Sequence, residues 1–406
     1  MKVDSHLSTD SKYRWVMLAL VWLVYFSFGA TAYCVSPLIT PIGQDLNLTF
    51  SQMGSILGAF ILFYIPLSVP AGVLIDRAGM KKTLIICAAS IPISALLQSF
   101  TTDFLTLFLA ISVLGVGGPF LAVGSMKIVA SWFRGKQRGL ASGLSMTGVF
   151  IGTSLATAIT NPVVMPLVGT WRSTLRLYAL LGLIVAFAWL VFLRDAPQVQ
   201  SETTKRPLGE TLGELLREKN VWLIILIAFS AAFFSGYSFM RWLPKLLEMK
   251  GMDPSEAGFY ASLPGWTGLI GNTMVPSMAK TGSRKPVLLG ALLIQGICIY
   301  AAVTTTELPF IASLIFFGIG YGASAPLLLV ILMDLPQVGA KVVGVASGLL
   351  YSIGAIGGFA GPLIVGFLTD STGTILTGTI TLAVLVEVML IPALLVKENS
   401  ARANLV

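Results

Sequence analysis

Gly72-Val-Leu-Ile-Asp76-Arg77-Ala-Gly79-Met-Lys81-Lys82 closes one long apolar stretch and opens the next. The runs on either side, of about 20 apolar residues, are long enough to cross a bilayer core of roughly 30 Å. A charged, glycine-punctuated turn between two such runs belongs at a membrane surface. About 203 residues later the skeleton returns as Val275-Pro-Ser-Met-Ala279-Lys280-Thr-Gly282-Ser-Arg284-Lys285. Gly282, Arg284 and Lys285 fall where Gly79, Lys81 and Lys82 fell, while Ala279 replaces Asp76. A degraded second copy half a chain away points to internal duplication.

The composition agrees with that reading. Of the 406 residues, 55% are hydrophobic and only 11% charged, against roughly 25% charged in a soluble domain. Backbone groups inside hydrocarbon must bond internally, which leaves helices or a closed barrel. The runs are continuously apolar rather than alternating, so helices are expected. The expected fold is an all-α membrane protein with 12 transmembrane helices near 14–40, 50–75, 83–101, 104–130, 138–161, 171–193, 220–246, 255–279, 286–304, 308–333, 342–369 and 374–396.

Twelve crossings put both termini on one side. Segments on that side carry Lys2, Lys12, Arg14, Arg77, Lys81, Lys82, Arg134, Lys136 and Arg138, then Arg194 to Lys219, Lys280, Arg284, Lys285, Lys341, Lys397 and Arg402. The opposite side has Arg172, Arg176, Arg241, Lys245 and Lys250. By the positive-inside rule both termini are expected in the cytoplasm, with the chain multi-pass in the cell membrane. The net charge of +8 then reflects orientation and anionic headgroups rather than nucleic acid. The first apolar run is too long for a signal-peptide core and is expected to stay in the mature protein. Cys34, Cys87 and Cys298 all lie inside apolar runs and are expected to be buried small hydrophobes without a disulfide.

The longest polar interruption, about 194–220, contains Pro197, Pro207 and a short amphipathic stretch from Leu208 to Leu216. It reads as a cytoplasmic linker between two halves, 1–200 and 201–406. The duplication keeps register elsewhere. Gly115-Val-Gly117-Gly118 precedes Gly318-Ile-Gly320-Tyr321 by about 203 residues, and Ala141-Ser-Gly143-Leu144 precedes Ala346-Ser-Gly348-Leu349 by about 205. Small residues at such spacing let membrane helices approach closely.

The turn, its degraded copy and these glycine runs resemble the major facilitator superfamily of secondary transporters. The resemblance covers the whole chain. It implies two six-helix bundles related by a pseudo-two-fold axis along the membrane normal, with solute bound between them. It also implies that spans one, four, seven and ten line the cavity and that spans three, six, nine and twelve lie outside. Asp76 and Arg77, with Gly72, Gly79, Lys81 and Lys82, would form a gate latch that locks the halves in the outward-facing state. Gly282, Arg284 and Lys285 would form its weaker counterpart, since the acid is missing at Ala279. Arg241-Trp-Leu-Pro244, Ala130-Ser-Trp-Phe133 followed by Gln137-Arg-Gly-Leu-Ala-Ser-Gly143, and Thr170-Trp-Arg172 are similar to the branches that handle cyanate, nitrate or nitrite, and organic anions. No arginine lies within span two or eight to match the paired cavity arginines of the nitrate branch.

Within that frame, Arg241 and Lys127 are candidate anion-binding cations, although each could instead snorkel to the interface. Arg176 lies about one turn into span six. Tyr25, Tyr33, Tyr237, Trp266, Asn272, Tyr321 and Tyr351 are candidate cavity side chains. Glu387 is the acid well inside a span, either structural or a candidate for proton coupling. Asp334 reads as a loop anchor. No phosphate loop, cofactor signature or Cys/His metal cluster is present in the sequence, so neither an enzyme nor an ATP-driven pump is expected. The expected function is alternating-access transport of a small solute, an organic or inorganic anion, by a monomer that could use a coupling ion. An efflux carrier for lipophilic compounds and a non-transporting sensor share this fold and are the alternatives; a channel has no need of mirrored gate turns.

Overall fold

The computed structural model describes residues 13–78, 80–133, 136–194, 208–279, 284–335, 338 and 342–397. Side chains at 69, 72, 73, 76, 78, 80–82, 136, 208–211, 343 and 344 are outside the description. Gly79 and Gly282 of the expected gate lie outside the described residues, as do the surroundings of Gly72 and the side chains of Asp76, Lys81 and Lys82.

Twelve long rods follow one another up and down. They are α1 (Tyr13–Tyr33), α2 (Phe50–Ala78), α3 (Met80–Gln98), α4 (Phe104–Trp132), α5 (Lys136–Ile159) and α6 (Trp171–Phe192), then α7 (Lys219–Met249), α8 (Pro254–Met278), α9 (Arg284–Thr304), α10 (Glu307–Asp334), α11 (Val343–Thr372) and α12 (Ile375–Leu395). Among the described residues, ten helices are long and apolar enough to cross a membrane, and Thr83–Gln98 of α3 is a shorter apolar one. α8 is the least apolar rod, because Ser262, Thr267, Asn272, Thr273 and Ser277 interrupt it. The expected amphipathic linker segment is a helix, Leu208–Arg217, anchored by buried Leu215.

Three boundaries differ from the expected spans, each for a backbone reason. The first run breaks at Tyr33 and resumes as a tight turn Ser36–Leu38 and a short helix Ile39–Asp45, because Pro37 can open a helix but not continue one. The fifth runs past Pro162 through a widened turn, Thr160–Val164, and stops at Val168 against Gly169, whose φ of 81° suits glycine. α7 holds a widened stretch over Ala228–Tyr237, where hydrogen bonds skip five residues rather than four. Such wide turns gather at functional positions.

Calling the end that carries Arg77, Arg138, Arg284 and Lys285 the basic face, the halves meet toward the opposite, far face. Two helix pairs make the seal. In one, a Cβ at Gly54 of α2 would overlap the Pro362 carbonyl of α11, and one at Gly58 would lie 2.8 Å from the Phe359 Cα. In the other, a Cβ at Gly258 of α8 would lie 2.8 Å from the Thr157 carbonyl of α5, and one at Gly265 would overlap the Ser154 hydroxyl. Toward the basic face the helices part. Gly143 of α5 and Gly348 of α11, which correspond in the duplication, face open space. All three cysteines are buried and unpaired, as the sequence indicated.

Candidate functional site

α7 places Arg241 one turn beyond its widened stretch. The side chain is 1% exposed, which overturns the alternative of a snorkelling interfacial arginine: the guanidinium points inward, not to the headgroups. Its Nε donates to the Tyr237 hydroxyl at 2.8 Å, Nη2 donates to the same oxygen, and Nη1 donates across the divide to the Ala32 carbonyl of α1. The guanidinium carbon lies 4.1 Å from the Tyr33 ring centroid, 4.9 Å from that of Tyr237 and 5.4 Å from that of Phe60. It also lines a small void with Thr31 and Gln98, whose hydroxyl and amide oxygens are buried without a hydrogen-bond partner.

No carboxylate pairs with Arg241 among the described residues. The ion pairs recorded there are Arg172–Asp45, Lys245–Glu248 and Arg284–Asp334. Desolvating an ion costs several kcal/mol, and each cation–π contact returns about 0.5–2 kcal/mol. Two neutral acceptors and three rings offset much of that penalty and leave the positive charge itself unneutralised. A carboxylate 4 Å away would gain about 4 kcal/mol at an effective dielectric constant of 20. The arrangement is suited to receive an anion.

Several expected residues converge on this point. Tyr33 and Tyr237 meet edge to face at 6.2 Å, and Tyr321 stacks on Phe317 with its ring seated over Gly236. Tyr25 and Tyr351 belong to a second group nearer the basic face. Tyr25 shares a 2.8 Å hydrogen bond with Ser125, and Tyr351 packs on Phe233 at 6.1 Å. Lys127 is half-buried two residues beyond Ser125 on α4. Trp266 is more than a third exposed and Asn272 half-buried on α8, and neither is brought to Arg241. Arg176 packs over Phe100 at 5.2 Å.

The residues expected to form the gate lie elsewhere. Arg77 is exposed at the end of α2. Arg284 pairs with Asp334, so the acid anchors the turn between α8 and α9 to the end of α10, as expected of it. Lys285 donates to the Leu394 and Val396 carbonyls, the latter at 3.0 Å, and ties the same turn to the end of α12. Glu387 lies between α12 and α9, where a Cβ at Gly296 would strike its carboxyl. Its Oε1 is buried without a hydrogen-bond partner.

Sequence reasoning passed over Phe60, Thr31 and Gln98. Gln98 belongs to span three, which the resemblance placed outside the bundle, yet it is buried beside Arg241. A lone amide in an apolar run was the available signal. Tyr64 was also missed; it fits against Gly118, where a Cβ would lie 2.6 Å from its ring.

Twelve membrane rods that meet around a buried cation with no acidic partner among the described residues define a multi-pass membrane carrier. Comparison with known proteins makes the family explicit. The Major Facilitator Superfamily model matches residues 21–362 and 251–404, and the chain belongs to that family. It is 25% identical over 395 residues to the probable sulfoacetate transporter SauU of Cupriavidus necator, covering 89% of each chain. It is 25% identical over 409 residues to the probable galactarate/D-glucarate transporter GudP of Escherichia coli, covering 90% of this chain and 89% of that one. It is 26% identical over 358 residues to the hexuronate transporter of Bacillus subtilis, covering 82% of each. Its fold is similar to the crystal structure of a bacterial homologue of the human lysosomal transporter Spinster in an inward-facing, occupied conformation, with a TM-score of 0.74 at 17% identity over 95% of this chain and 97% of that one.

Proposed function

We propose that this chain is an alternating-access carrier for a small organic anion and that Arg241 is the group that recognises it. The single observation behind this reading is a buried guanidinium at the junction of the halves, bonded to neutral acceptors only. The relatives named for sulfoacetate, galactarate/D-glucarate and hexuronate support the same solute class. Bodies 1–200 and 201–406 rock about the shared centre, and the protein works as a monomer. With both termini in the cytosol, the basic face is cytoplasmic, and the closed far face makes this the inward-open pose. Expected in that pose are a parted Asp76 latch and a solute free to leave inward.

Purified protein in liposomes is expected to take up one or more small carboxylates or sulfonates with saturation, and neutral analogues of the same size are expected not to compete. Flux carried equally by neutral lipophilic compounds would favour the efflux alternative. Reporter fusions at residues 1 and 406 are expected to signal cytoplasmic location together; a split result removes the orientation.

Glu387 remains the candidate for proton coupling. Glu387→Gln, a neutral mimic of the protonated acid, is expected to keep solute counterflow within about twofold, because the isostere preserves the packing on Gly296. A loss confined to accumulation against a proton gradient is the result a coupling role produces.

A further inference from the structure

The end of α11 reads Leu368-Thr-Asp370-Ser-Thr-Gly373, and the end of α2 reads Leu74-Ile-Asp76-Arg-Ala-Gly79. The two share the spacing Leu-x-Asp-x-x-Gly, and each aspartate stands two residues before its helix ends, at Thr372 and at Ala78. α2 and α11 run antiparallel and are packed against each other, so this helix pair carries an acid at both of its ends.

The far end is described in full. Asp370 Oδ1 accepts from the Phe50 amide at 2.9 Å, and Oδ2 accepts from the Ser51 amide at 2.7 Å and from the Ser51 hydroxyl. A helix N-terminus leaves four amide donors without intrahelical partners and bears a partial positive charge. In α2, two of the four are satisfied by a local capping box: the Gln52 amide donates to the Thr49 hydroxyl oxygen at 3.2 Å and the Thr49 amide donates to the Gln52 side-chain oxygen at 3.0 Å. The Met53 amide makes the first intrahelical bond, to the Thr49 carbonyl at 3.0 Å. The remaining two donors are satisfied from the other half of the protein. α2 therefore completes its cap only while the far face is shut.

We propose that Asp370 is the latch of the far face, a carboxylate on α11 that clamps the N-terminus of α2 in one pose and releases it in the other. No sequence motif of the expected gate includes this residue, and the proposal does not depend on which solute is carried. Opening the far face exchanges the clamp for water, and closing it restores three charge-assisted bonds at once.

The chain's own thiols provide the test. Cys34 is fully buried near the far end of α1, with its thiol on the Thr31 carbonyl, and Cys87 is buried inside the first half. Full-length protein with Cys87→Ser and Cys298→Ser leaves Cys34 as a reporter of far-face opening to a soluble maleimide. Asp370→Ala is expected to speed Cys34 labelling about tenfold, Asp370→Asn by less, and Asp370→Glu to restore the original rate within about twofold. A matched Cys34→Ser, Cys298→Ser protein reports Cys87, whose labelling is expected to stay unchanged in the same variants. An unchanged Cys34 rate in both Asp370→Ala and Asp370→Asn overturns the proposal. A parallel rise at Cys87 also overturns it, since that marks general loosening rather than the release of a gate.

Discussion

Arg241→Gln is expected to abolish anion uptake in proteoliposomes, by about 100-fold or more in initial rate, and to leave the protein folded. Truncating one partner of a buried hydrogen-bonded charge pair costs 2–5 kcal/mol, and each 1.4 kcal/mol is a factor of ten. On the proposed role of Arg241 the missing partner is the solute, so the full loss would fall on transport. Stability should move little. The substitution removes the desolvation penalty of an unneutralised cation, and the Tyr237 hydroxyl keeps its 3.3 Å contact with the Leu57 carbonyl. Arg241→Lys should fail nearly as badly. An ammonium on a flexible stem cannot reach Tyr237 and Ala32 together in the planar fork that the guanidinium uses. A melting curve within a few degrees of the parent, alongside lost uptake, is the expected pair of results. Uptake within threefold of the parent in both variants sinks the anion-binding role.

The same geometry suggests how the solute is released. In the pose described here Arg241 donates to the Ala32 carbonyl, a contact made between halves. An anion held by this guanidinium and that carbonyl are rivals for the same donor. On the proposed anion-binding role of Arg241, closing the far face would bring the carbonyl in and weaken the hold on the anion as the opposite face opens. Differential contacts of this kind are what a rocking carrier requires, because a ligand bound equally in both poses shifts nothing.

Much of this was legible in the sequence because membrane constraints are severe. The apolar runs and the short charged turns between them follow from the bilayer, and the twelve rods lie close to where the runs placed them. Tyr33, Tyr237, Arg241 and Tyr321 could be named because the span order confined the choices. Their convergence could not be read, since it depends on the widened stretch Ala228–Tyr237, which has no proline to announce it. Gln98 was hidden by the span rule that put its helix outside. Asp370 was hidden for another reason: its partners are backbone amides at Phe50 and Ser51, and a backbone group leaves no mark in the pattern of side chains.

Glycine substitutions at the two ends of the α2–α11 pair should trap the carrier in opposite poses. At Gly54 and Gly366 an added Cβ would overlap the carbonyl oxygens of Pro362 and Phe50, both backbone atoms that a rotamer change cannot move. Gly54→Leu and Gly366→Val must therefore hold the far ends of α2 and α11 apart. Overpacking of a tight contact costs about 1–3 kcal/mol, enough to move a two-state balance by roughly 5- to 150-fold. Gly143 and Gly348 are different, because nothing lies within 4 Å of a Cβ there. Gly348→Leu leaves the present pose unstrained and obstructs only the pose in which the basic face shuts. Both classes of variant should lose transport by more than about tenfold. Paired spin labels at Gln44 and Ser371, exposed positions on either side of the far seal, distinguish them. Their separation is expected to lengthen in Gly54→Leu and to stay at the short distance in Gly348→Leu, even with solute added. If both variants gave the same distance distribution, these glycines would be general packing residues and the two-pose account of the seal would fail.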